Sequence, residues 1–379
     1  MIQRSLSSYI QRRLSSKKPF QLSGPARSGK SAMIKEVTAD SPGFESFDLA
    51  DPKILKLFTS QDYSRISHLL HAGAINLFMN IQRLPDFENK LGELRALFPD
   101  NQFITTCSFS KYIVTDYKSG FTAEQTNFII HPISWQEYSE YENLVGSKTE
   151  LEARLIFGMY PEVILNQGKE ESILQQLYED YLFREIFACT PIRKPGVIKK
   201  IVQILALYAG REISLNQISD LSKVDKNTVN SYINILEKAF IIFKLQALKR
   251  NHQHEVKSSR KIFFYDNGIR NAAISNFNPL NLRQDSEALW ENFCISERQK
   301  FLYNRQKQYS SYFWRTTGNK AVDYIEEYED GLHAYTFRWN RSSGKFFSKT
   351  FRNSYPGASM DIINATNFSK FIGSAKIKL

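Results

Sequence analysis

The sequence predicts a multi-domain α/β protein, and three observations carry that expectation. From Pro19 to about Ile133, short apolar runs alternate with polar, helix-like stretches, the rhythm of a mostly parallel sheet covered by helices. A glycine-punctuated segment, Gly24 to Ser31, lies between one such run and a helix-like stretch. Beyond Pro195, three helix-sized segments lead into a strand pair, and a second strand-rich unit follows. At 379 residues the chain also exceeds the usual size of one compact core, so several domains are expected.

The opening segment, MIQRSLSSYIQRRLSSKKPF, has no apolar stretch long enough for a signal peptide. Its spacing of Arg, Ser and apolar positions fits a basic amphipathic helix packed on the first domain. The runs PFQLSG, FESFDLAD, AINLFMNIQ, NQFITTCSF and TNFIIHPI then read as strands, which sets the first domain at residues 1–134. Residues 135–194 read as a helical lid or linker, interrupted at FGMYPEV where Gly and Pro punctuate the pattern.

The segments VIKKIVQILALYAG, SLNQISDLSKV and DKNTVNSYINILEKAF, followed by IIFKLQAL, suggest a winged helix-turn-helix over residues 195–258. In the third segment Asp225 is placed to cap a helix, while Val229, Ile233, Leu236 and Phe240 recur at core spacing. Lys223, Lys226, Asn227 and Asn230 lie on the polar side and are the candidate DNA contacts; a lid or protein-contact role is the alternative. Residues 259–379 return to strands in KIFFYD, SSYFWRT, AVDYIEEY and LHAYTFRWN, with a helix around Ser286 to Leu302.

Composition narrows the partners. Fifty Lys and Arg against 39 Asp and Glu leave a net charge of +11, which favours anionic partners such as nucleotides, nucleic acids or acidic protein surfaces. Cys107, Cys189 and Cys294 are odd in number and far apart, which argues against a disulfide framework and for a reducing, cytoplasmic setting. No apolar run reaches membrane-spanning length. His252 and His254 have metal-like spacing but no further ligands nearby in sequence, and read as a polar loop.

Gly24-Pro25-Ala26-Arg27-Ser28-Gly29-Lys30-Ser31 matches the phosphate-loop pattern G-x-x-x-x-G-K-[ST] in full, after a strand and before a helix. The residue types suit the chemistry. Glycines let backbone N–H groups curl around phosphate oxygens, Lys30 neutralises the β and γ charges, and Ser31 offers its hydroxyl to Mg²⁺.

GPARSGKS, FDLADP, NIQRLPDF, HPISWQEY, GMYPEV, KIFFYDNGIRNA, LWENF and FWRTTGNKAVDYI together resemble the AAA-type ATP-binding proteins that carry a C-terminal DUF4143 domain. The resemblance runs nearly end to end and marks the chain as a divergent member. It implies a fold of three α/β and helical parts: a RecA-like P-loop domain, a winged-helix domain and a PD-(D/E)xK nuclease-like α/β domain. ATP with Mg²⁺ is the implied cofactor, ATP or ADP the implied partner.

Departures from the family pattern shape the expected activity. Relatives place a Walker B Asp-Glu pair where this chain has Met79 and Asn80, and neither can act as a general base. Glu124 and Gln125 stand near the position of a family arginine, and Thr106-Cys107-Ser108 replaces a Thr-Gly-Ser sensor stretch. Weak or absent hydrolysis is therefore expected, with a slow but active ATPase or a winged-helix DNA-binding regulator as alternatives. Asp48 or Asp51 is the substitute carboxylate to consider. In the nuclease-like part, Glu291 and Asp323 match two metal ligands, but Thr336 and Arg338 replace the Glu and Lys of the last strand. A hydroxyl and a permanently charged guanidinium complete no hard-cation site, so no nuclease activity is expected.

Overall fold

The computed structural model describes residues 2–39, 41, 43–60, 63–110, 127–142, 148–180, 185–190, 192, 194–248, 250, 260–339 and 347–373. Glu124, Gln125, His252 and His254 lie outside the described residues.

The first unit opens with α1 (Ser7–Ser15) and continues β1 (Phe20–Ser23), α2 (Lys30–Val37), β2 (Phe44–Asp48), α3 (Pro52–Thr59), α4 (Tyr63–Ser67) and β3 (Ile75–Met79). It is completed by α5 (Phe87–Leu97), β4 (Gln102–Cys107) and β5 (Asn127–Ile129). The sheet is five-stranded and parallel throughout, in the order β2-β3-β4-β1-β5. The strand order reverses at β1, and the crevice at the carboxyl end of such a reversal is where parallel α/β sheets bind ligands. The core strands are covered on both faces, so Leu22, Leu77 and Ile104 are wholly buried.

Local chemistry starts the helices. Asp51 accepts a hydrogen bond from Lys53 N and Pro52 fills the first position of α3, so Asp51 serves as a cap. Ile2 and Leu6, just ahead of α1, and Ile10 within it are buried in the same core as Met33 and Ile34 of α2, so the opening segment packs on the first unit as its amphipathic spacing led one to expect.

A helical stretch follows: α6 (Trp135–Tyr141), α7 (Lys148–Phe157), α8 (Pro161–Ile164), α9 (Glu170–Asp180), α10 (Ile186–Cys189), α11 (Pro195–Leu207), α12 (Leu215–Ser222) and α13 (Lys226–Lys238). Capping boxes at Ser134/Glu137 and Ser214/Gln217 start α6 and α12, and Asp225 caps α13 through Asn227 N and Thr228 N.

The remaining elements are β6 (Ile242–Ala247), β7 (Arg260–Phe264), α14 (Asn267–Ala273), α15 (Ser286–Asn304), β8 (Ser310–Arg315), β9 (Ala321–Tyr328), β10 (Gly331–Phe337), α16 (Lys349–Ser354), β11 (Ser359–Ile363) and α17 (Phe368–Phe371). They form a six-stranded mixed sheet, β11-β10-β9-β8-β6-β7. The strand pair expected after the three helices is present, with β6 antiparallel to β7. It does not stand alone, because β6 also pairs in parallel with β8 and so belongs to the second sheet. β11, which sequence patterning missed, lies parallel to β10.

The two sheets share one core. Trp135, Tyr138 and Ile129 from the first side cluster with Trp290, Phe293 and Phe368 from the second. Each fully buried large side chain of this kind contributes about 2–3 kcal/mol. Buried hydrogen bonds join α15 to the same seam: Trp135 N donates to Glu297 Oε2 at 2.6 Å, Ile129 N to Tyr303 Oη at 2.6 Å, and Lys300 Nζ to the Ile133 carbonyl at 3.0 Å.

Candidate functional site

The loop Gly24–Ser31 leaves the carboxyl end of β1 and enters α2 at Lys30. Gly24 takes φ +140°, and a Cβ there would run into the backbone of Ile130 beside β5, so only glycine fits. Gly29, at φ +97°, is the left-handed residue from which α2 starts. Gly24 N donates to the Cys107 carbonyl at 3.1 Å, which ties the loop to the end of β4. The Ser28 hydroxyl is buried and unpaired among the described residues, as a polar group awaiting an anion's oxygen would be.

Lys30 is 7% exposed, and its ammonium donates to the carbonyls of Gly24 (2.9 Å) and Pro25 (2.5 Å). Burial pulls its pKa down to about 8, while the nearby Cys107 and Glu185 favour the charged form. Burial also raises the Cys107 thiol.

Arg4, ahead of α1, supports the loop from behind. Its guanidinium donates to the Ser28 carbonyl at 2.8 Å and the His131 carbonyl at 2.7 Å, and pairs with Glu137 at 3.3 Å. Burial alone would raise the Glu137 carboxyl, but Arg4 and the N–H groups of Ser134 and Ser5 hold it below its usual range. On the open side, Arg27 pairs with Glu162 of α8 at 3.0 Å, so the GMYPEV segment lies over the loop.

Met79 and Asn80 stand at the carboxyl end of β3, as the strand pattern predicts. Asn80 adopts a left-handed backbone and its Nδ2 donates to Asp48 Oδ1 at 2.8 Å. Asp48 lies opposite Met79 across β2 and β3, and its carboxylate also accepts from Ala50 N. Of the two substitute carboxylates, Asp48 is thus beside the strand end, whereas Asp51 caps α3. Beyond Asn80, Gln82 Nε2 donates to Ser108 Oγ at 2.8 Å, and Ser108 Oγ donates to Glu185 Oε2 at 2.9 Å. Sequence reasoning missed Arg4, Gln82 and Glu185, because only the fold brings Arg4 to the loop and Gln82 and Glu185 to Ser108 at the end of β4. Ser31 follows Lys30 in the first turn of α2, and among the described residues no three His, Cys, Asp or Glu side chains gather as a metal group.

On the second sheet, Glu291 of α15, Asp323 of β9 and Arg338 share a cleft of about 250 Å³ with Gly210 and Arg211. Asp323 Oδ2 accepts from Thr336 Oγ1 at 2.9 Å, Phe337 N at 3.1 Å and Arg338 at 3.4 Å. Glu291 pairs with Lys261 of β7 at 2.8 Å, a partner the sequence did not single out. Burial raises the Glu291 carboxyl to about 7 despite that lysine. Both carboxylates are therefore engaged by donors from the protein. Lys223, which ends α12, and Lys226 and Asn227, which open α13, are exposed, and Asn230 is half-buried.

Comparisons with known proteins divide the chain into three. The AAA domain family matches residues 16–139, a domain of unknown function (DUF8612) matches 148–281, and a domain of unknown function (DUF4143) matches 286–372. The second match runs through the helical stretch and on across β6, β7 and α14. An uncharacterized protein of Haemophilus influenzae is 21% identical over 277 residues, covering 67% of this chain and 68% of its own length. Among solved structures, a Walker-type ATPase of Pyrococcus abyssi is similar at 15% identity and TM-score 0.49, over 72% of this chain and 96% of that one. The Pif1 helicase from Candida albicans is similar at 11% identity and TM-score 0.23, over 67% of this chain and 60% of that one. No helix among the described residues is long and apolar enough to cross a membrane.

Proposed function

Because the chain belongs to the AAA-domain proteins with a C-terminal DUF4143 domain, we propose that this P-loop ATP-binding protein takes up ATP or ADP at Gly24–Ser31 and hydrolyses ATP weakly or not at all. The observation that carries the reading is the loop itself: a parallel strand, two glycines with positive φ, and a buried lysine at the first turn of α2. Lys30 would exchange its two carbonyl partners for β- and γ-phosphate oxygens, and Ser31 would give Mg²⁺ one hydroxyl ligand. Weak turnover follows from Met79 and Asn80, which supply neither a metal carboxylate nor a water-orienting base. Nucleotide binding, rather than turnover, would set the packing of α8–α10 against the loop, making the protein a nucleotide-responsive binding module.

Calorimetric titration with ATP and ADP, beside phosphate release under single-turnover conditions, tests this. Lys30→Ala is expected to remove most nucleotide affinity, and Met79→Asp with Asn80→Glu to raise turnover above wild type. Brisk hydrolysis by the wild type would favour the alternative of an active ATPase, with Asp48 the next residue to replace. A second reading, DNA contact through a winged helix, is favoured by the exposed Lys223 at the end of α12 and Lys226 and Asn227 at the start of α13. It predicts salt-dependent DNA binding that weakens when both lysines become alanine. A protein partner on that same surface is the outcome if DNA does not bind.

A further inference from the structure

Where the strand end beside the loop has no acidic pair, a carboxylate reaches the site from another part of the chain. Glu185 immediately precedes α10, in the helical stretch, and its side chain is 25% exposed. One oxygen accepts from Ser108 Oγ at 2.9 Å and from Gln82 Nε2 at 3.4 Å, and the other faces Arg83 at 3.6 Å. Ser108 directly follows Cys107, whose carbonyl holds Gly24 at the base of the loop. Glu185 also lies within electrostatic reach of the Lys30 ammonium, which it helps keep charged.

A hydroxyl, a side-chain amide, a guanidinium and the loop lysine make a set of donors and positive charge suited to an anion. The carboxylate of Glu185 faces that set. The terminal phosphate of ATP belongs next to Lys30 and brings more negative charge than the carboxylate. In ADP that phosphate is missing, so the overlap with Glu185 is smaller.

We propose that Glu185 is a specificity-determining residue of the nucleotide site: it occupies donors that the γ-phosphate would use, biases the site toward ADP, and is displaced together with α10 when ATP binds. This rests on the phosphate-loop reading above. Displacement of Glu185 by charge repulsion and competition for Ser108 would give ATP and ADP different effects on the helical stretch, which differential affinity for two states requires.

The test measures ATP and ADP affinities by calorimetry in the full chain for wild type, Glu185→Gln, Glu185→Asp and Lys30→Ala. Removing one negative charge from this set of donors is expected to strengthen ATP binding on the order of tenfold while changing ADP affinity much less. Glu185→Asp, which keeps the charge, should hold the ATP-to-ADP ratio near that of wild type. Hydrogen exchange in α9 and α10 should rise with ATP and not with ADP in wild type, and that difference should shrink in Glu185→Gln. An unchanged ratio in Glu185→Gln, or weaker ATP binding, overturns the proposal while leaving the loop reading in place if Lys30→Ala has lost both nucleotides. Retention of both nucleotides by Lys30→Ala would instead overturn the loop reading and this inference with it.

Discussion

Arg4→Ala is the perturbation that most directly tests whether the segment ahead of α1 organises the Gly24–Ser31 loop. The guanidinium donates to two backbone carbonyls, of Ser28 in the loop and of His131, and pairs with Glu137, all with a side chain only 10% exposed. A hydrogen bond to a charged group contributes about 1.5–3 kcal/mol, and breaking a buried pair from one side costs about 3–5 kcal/mol. Glu137 keeps the N–H groups of Ser5 and Ser134, at 2.7 and 2.9 Å, which places the loss at the low end, roughly 3 kcal/mol. The loop should also lose affinity, since the Ser28 carbonyl no longer has the partner that fixes it, and a loss of order tenfold corresponds to about 1.4 kcal/mol. Chemical denaturation and nucleotide calorimetry on wild type, Arg4→Ala and Arg4→Lys read both quantities. Lysine restores charge but not the forked geometry, so it should recover part of the stability and less of the affinity. If Arg4→Ala unfolds at the wild-type midpoint and binds ATP as wild type does, the guanidinium does not organise the loop and the reasoning fails.

Burial holds Lys30 at about 8, against 10.5 for an unburied lysine, and the phosphates need its charged form, so binding above about pH 8 must take up a proton. ATP affinity should then fall by up to about tenfold per pH unit from that point, measurable by titration at several pH values, whereas an ordinary lysine would give a flat profile there. The same depressed pKa makes the folded chain bind fewer protons than the unfolded one between about 8 and 10.5, so this group's contribution to stability rises over that window and the affinity loss is not unfolding. On the second sheet, Lys261→Ala should destabilise by about 1–3 kcal/mol by leaving the partly buried Glu291 without its cation, the loss being limited because a carboxyl already raised to about 7 can take up a proton, and Lys261→Met with Glu291→Leu should recover much of it in denaturant unfolding. Purified protein should show no Mg²⁺-dependent DNA cleavage that Glu291→Ala or Asp323→Ala removes.

Sequence alone determined the features that rest on short-range chemistry. The strand–loop–helix geometry at Gly24–Ser31 was legible because its strand, its glycines and its lysine are contiguous, and Gly24 and Gly29 do take the positive φ their type allows. The three helices α11 to α13 were legible because apolar spacing and caps such as Asp225 act within a few residues. The strand end at Met79 and Asn80 was placed correctly for the same reason. Tertiary structure decided the rest, since the partners concerned are far apart in sequence and have no pattern of their own. Arg4 meets the loop 24 residues on, Glu185 meets Ser108 across 77, and Trp135 meets Glu297 across 162. β6 carries the same apolar run whether it forms a free hairpin or joins a larger sheet. Its parallel pairing with β8 is made with a strand more than 60 residues further on, beyond α15, so no local pattern in β6 reveals it. A lone arginine or glutamate reads as solvated surface until packing gives it partners, and the fold turns Arg4 into a support for the loop and seats Glu185 against Ser108 and Gln82.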